Sequence, residues 1–80
     1  MTGMLIIVLS DRRVELHREA ANELEGHLWR GSRSGAVTAA ARMRDALAQL
    51  DSGRAGEVAF AQYELDAVRD ALASIGSSAT

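Results

Sequence analysis

The sequence has no cysteine and no proline, and all nine of its basic residues are arginine. Without cysteine there is neither a disulfide nor a thiolate metal site, and the chain suits a reducing cytoplasm. Without proline no stiff linker divides it. Its 80 residues read as one domain over 1–76 with a frayed tail at 77–80. The absence of lysine, beside abundant alanine, reads as a product of high-GC coding more than of selection for a function. Aromatics are few: Trp29, Phe60 and Tyr63. The net charge of −2 points away from a strongly basic nucleic-acid binder and from an acidic tail.

Long apolar runs are also missing. The longest, Met4–Leu9, has six residues. That is too short for a membrane span or a signal-peptide core, and no basic segment precedes it. No membrane partner is expected. A domain this small buries only about 60% of its unfolded surface and is marginal alone. With disulfides excluded, a second subunit is the natural source of added stability, so a homodimer is expected.

What is present begins with that run. Met4–Leu9 is rich in β-branched residues and does not alternate, which predicts a strand buried on both faces or against a second copy. Ser10 or Asp11 then suits the cap of a first helix over about 11–28. Val14, Leu16, Ala20, Ala21, Leu24 and Leu28 make its apolar face, and Glu15, Glu19 and Glu23 lie opposite. His17 sits near the middle of that apolar face and His27 at its edge.

The segment 29–35, with two glycines and two serines, reads as a loop whose Ser34 caps a second helix over 36–50. Ala36, Ala39, Ala40, Met43, Ala46, Leu47 and Leu50 form the apolar face of this helix. A turn follows at 51–56, with Gly53 and Gly56 available for positive φ. A second strand covers 57–60. A third helix covers 61–75, with Leu65, Val68, Ala71, Leu72 and Ile75 on one face, and Gly76 stops it.

Residues 8–20 and 59–71 echo each other at an offset of 51, an extended piece feeding a helix in each case. The two strands are therefore expected to pair. The fold class is α+β, mostly α: three amphipathic helices with two short strands in the order β-α-α-β-α, dimeric through joined strand edges. Two strands alone make a marginal sheet.

Chemistry-bearing motifs are sparse. Residues 51–62 resemble the calcium loop of the EF-hand family in outline. Asp51 opens the segment, Gly56 takes the sixth place, Val58 the eighth and Gln62 the twelfth. The resemblance implies a calcium loop, but its third and fifth places are Gly53 and Ala55, and Gln62 replaces the bidentate glutamate. Too few oxygen ligands remain. His17 has Arg13 and Ala21 one turn away, so it has no second metal ligand. No order of Ser, His and Asp suggests catalysis, and no cofactor or enzyme activity is expected.

The reading that remains is a non-enzymatic interaction module. It works by self-association or by binding another protein, with Leu5, Ile7, Leu28 and Trp29 as contact residues. The rival reading is a nucleic-acid-binding regulator. Residues 26–44 carry Arg30, Arg33, Arg42 and Arg44 with no acidic residue. Trp29 would supply a surface for base stacking.

Overall fold

Six consecutive apolar residues offer no helical stripe. Met4–Val8 accordingly forms a strand, β1, in the computed structural model, which describes residues 3–54 and 56–78. The first departure from expectation follows at once. Ser10 and Asp11 do not cap a helix; they turn the chain back. The Leu9 N–H donates to the Arg12 carbonyl at 2.9 Å. Arg13–His17 then returns as β2, antiparallel to β1. This segment alternates with period two, so Val14 and Leu16 pack together against the core while Arg13, Glu15 and His17 face outward. On a helix Val14 and Leu16 would stand roughly 200° apart.

The first helix, α1, therefore spans Arg18–Arg30 and buries Ala21, Leu24 and Leu28. Trp29 and Arg30 are its last residues and not part of a loop. The connection is only 31–33, and α2 spans Ser34–Asp51. Ser34 lies inside α2, and Arg33 in the cap position makes no side-chain cap bond. Small side chains at Gly35, Ala36, Ala39, Ala40 and Ala46 let the neighbouring helices approach closely, and Met43 and Leu47 fill the remaining depth.

The end of α2 is a Schellman turn. The Arg54 N–H reaches the Gln49 carbonyl at 2.8 Å, and the Gly53 N–H reaches that of Leu50 at 3.0 Å. Gly53 supplies the left-handed residue at φ 86°. Gly56 is needed for a different reason. It opens β3, Gly56–Ala59, where a Cβ would stand 2.9 Å from Leu50 Cγ.

The last helix, α3, spans Gln62–Ser78. It runs past Gly76; of the expected tail, residues 79 and 80 lie outside the described residues. Among the described residues the element order is thus β-β-α-α-β-α, with three strands where two were expected.

The sheet order is β2-β1-β3. The expected pairing of the two outer stretches is real: β1 and β3 run parallel, Leu5 against Gly56 through Val8 against Ala59. Their register has the same offset of 51 as the sequence echo. The first half of the echo does not feed a helix, however, because β2 intervenes. β1 has neighbours on both edges, so no second copy can join it there.

Leu5, Ile7, Leu9 and Val58 point into a single core shared with Leu24, Leu28, Met43, Leu65 and Val68. Among the described residues no helix lies on the opposite sheet face. Met4, Ile6 and Val8 form its centre line, flanked by Arg13, Glu15 and His17 on β2 and by Glu57 and Ala59 on β3.

Candidate interaction surface

The side chains expected to make contacts divide sharply. Leu5 and Ile7 are fully buried in the chain's own core, and Leu28 is nearly so. They are core residues, because alternation along β1 turns them toward the helices. The outward residues are those between them, Met4, Ile6 and Val8. Met4 is 41% exposed, and Ile6 and Val8 are half-buried. Part of that cover comes from Arg13 and Glu57, an ion pair at 3.6 Å that reaches from β2 to β3 across β1. Stems of long charged side chains can shelter apolar atoms in this way.

Trp29, at the end of α1, is 38% exposed but not idle. Its Nε1 donates to Glu25 Oε2 at 3.0 Å, and its ring lies 4.7 Å from the Arg44 guanidinium carbon. Arg44 Nε donates to the same Glu25 oxygen at 2.9 Å. One face of the indole is thus covered by a cation.

The other arginines of 26–44 tell the same story. Arg33 pairs with Asp70 on α3 at 2.8 Å. Arg42 pairs with the buried carboxylate of Glu64 at 2.5 Å, donates to the Ala59 carbonyl, and lies over the Phe60 ring. Arg30 alone of the four has no ion pair among the described residues. The structure does not gather these arginines; it gives three of them separate acidic partners on α1 and α3. The short 31–33 connection is tight enough for a helix-turn-helix, but the basic side chains that would read phosphate are engaged elsewhere.

Glu64 was not singled out from sequence. It is 1% exposed, and its Oε1 also accepts from the Ala61 N–H at 2.8 Å, closing the first turn of α3. Its Oε2 has no hydrogen-bond partner among the described residues. A glutamate three residues into α3 was the available signal.

Two more ion pairs pin elements together. Arg69 on α3 holds the hairpin tip through Ser10 and Asp11, at 3.1 and 3.3 Å. Arg18 and Asp51 form a two-pronged pair between the start of α1 and the end of α2. That hydrogen bonding holds the Asp51 carboxyl below its ordinary value and raises Arg18.

Two concave sites stand out, and both are small. A cleft of about 200 Å³ lies among the three helices beside His27, Arg33 and Asp70. A groove of about 180 Å³ lies between α2 and β3. Both fall below the roughly 300 Å³ at which small-molecule sites begin. His17 is exposed at the end of β2, opposite Met4, and not on an apolar helix face. Among the described residues no three His, Asp or Glu gather as metal ligands, and no helix is long and apolar enough to cross a membrane. Comparison with protein-family models, with curated proteins and with solved structures finds no match.

Proposed function

We propose that this chain is a small non-catalytic interaction module that acts by binding protein surfaces, its own copy first, as a homodimer. The observation behind the reading is a sheet with one face and one edge left bare among the described residues. The bare face carries an apolar centre line at Met4, Ile6 and Val8. A three-stranded sheet with one face open leaves few apolar residues to stabilise so short a chain, and a partner adds what the core lacks. The cysteine-free composition suits a cytoplasmic setting. Nucleic acid is not favoured, because Arg33, Arg42 and Arg44 are already neutralised within the chain.

Light scattering on a sizing column, at two salt concentrations, tests the reading. About twice the 8.5 kDa chain mass at both salts is expected. The mass of one chain at every concentration tried would rule out self-association.

A further inference from the structure

We infer that two copies of this chain pair antiparallel through the outer edge of β2, with Val14 opposite Val14 of the second copy. The inference rests on the interaction-module reading above and names its surface.

The sheet has two outer edges, and they differ. The edge of β3 lies along α2, and Arg42 donates to the Ala59 carbonyl there. That edge is blunted. The edge of β2 has no such cover among the described residues.

Which groups it presents follows from the hairpin. Leu9 and Arg12 are a hydrogen-bonded pair. In an antiparallel ladder such pairs alternate with non-bonded ones. Val14 and Leu16 therefore spend their N–H and C=O groups on Ile7 and Leu5. Arg13, Glu15 and His17 send theirs to the free edge, where no described residue meets them. All three are exposed, and Val14 and Leu16 are only half-buried on the core side.

Charge selects the occupant and the register. Strands related by a two-fold axis place some residue opposite itself, and the outward pattern of N–H groups allows a centre at any residue of β2. One at Arg13 sets two guanidiniums face to face, and one at His17 runs the second strand onto the start of α1. A centre at Glu15 sets two carboxylates face to face, which is unfavourable. A centre at Leu16 drives the second strand toward the start of α1 at Arg18. A centre at Val14 sets Arg13 against Glu15 of the second copy, and Glu15 against its Arg13. Both of these are hydrogen-bonded positions. The loose contact of Arg13 with Glu57, at 3.6 Å, leaves guanidinium donors for this second carboxylate. The result is one continuous six-stranded sheet with both bare faces on the same side.

Sedimentation equilibrium of the full chain and three variants tests this, with circular dichroism as the check on folding. Glu15→Pro removes an outward N–H together with the Glu15 carboxylate, both of which serve the proposed partner, and leaves the hairpin ladder to β1 intact. It is expected to give a folded monomer. Arg13→Glu is expected to raise the dimer dissociation constant by roughly tenfold, through two lost cross-strand pairs. Arg13→Glu with Glu15→Arg restores opposite charges in the same register and is expected to recover dimerisation. If Glu15→Pro unfolds the chain, the charge swap alone decides. Loss with Arg13→Glu but no recovery in the swap overturns the register. A dimer unmoved by Glu15→Pro and by Arg13→Glu overturns the edge and leaves self-association standing. A wild-type chain that is monomeric throughout overturns both.

Discussion

Arg42 and Glu64 stand 22 residues apart in the chain and 2.5 Å apart in the fold. Glu64 is buried, whereas the Arg42 side chain is 40% exposed. The pair is therefore asymmetric. Removing the arginine strands a carboxylate buried away from solvent, while removing the glutamate leaves a cation that still holds the Ala59 carbonyl and still reaches solvent. Arg42→Met should cost about 2–3 kcal/mol, less than for a wholly buried pair. Arg42→Met with Glu64→Leu should recover most of that loss, because the stranded charge is gone. Urea unfolding of the two variants checks the order. A double variant less stable than Arg42→Met would show that the Ala61 cap, not the ion pair, is what Glu64 mainly supplies.

Two helical glycines should respond oppositely to alanine. At Gly35 a Cβ would lie 2.8 Å from the Tyr63 carbonyl oxygen, which is backbone and cannot step aside cheaply. Gly35→Ala should destabilise by about 1–3 kcal/mol as α2 and α3 are forced apart. At Gly26 a Cβ meets only the tip of the Arg30 side chain, at 3.5 Å. Gly26→Ala should stabilise by about 0.5–1 kcal/mol, through lower chain entropy in the unfolded state and better helix propensity. The shift of the urea midpoint in each variant gives the sign directly.

The Arg18–Asp51 pair makes a prediction about acid. The Asp51 carboxyl is held below its ordinary value of 3.8, first by its hydrogen bonds to Arg18. A carboxyl depressed in the folded state adds stability that is present above its unfolded value and is lost as the pH falls through the folded one. Asp51→Asn should therefore lower Tm at pH 7, and the gap to wild type should close as the pH drops below 3.8. Calorimetric scans from neutral pH into acid test this. A gap that stays constant would mean the carboxylate contributes nothing through its charge.

How much of this was legible beforehand depends on the residue. α2 and the apolar face of α3 could be read because each has one clear helical period, and β1 because six unbroken apolar, largely β-branched residues suit a buried strand. The offset of 51 between the echoing stretches was already the parallel register. β2 was hidden because Arg13–His17 runs straight into α1, and Val14 and Leu16 fit a generous helical stripe as well as a strand. Strict alternation over five residues, after a turn-forming Ser10-Asp11, was the better reading. The outward face of β1 could not be read from β1 at all, since both of its sides are apolar. Only its neighbours, with Val14 and Val58 inward and Glu15 and Glu57 outward, decide it. Ion pairs such as Arg33 with Asp70 join residues remote in sequence, and they turned an apparently basic segment into one with little free charge.

The two neighbours of β1 come from very different distances along the chain. β2 belongs to the same hairpin, whereas β3 arrives 51 residues later. Closing a short loop costs less chain entropy and is faster than closing a long one. During synthesis the hairpin is therefore made while the seat for β3 is still empty, and both α1 and α2 must emerge before it is filled. For that interval the most apolar strand of the protein shows an unpaired backbone edge and two greasy faces to whatever is nearby. The hazard of this fold lies in its birth order, and it ends when residues 56–59 take their place.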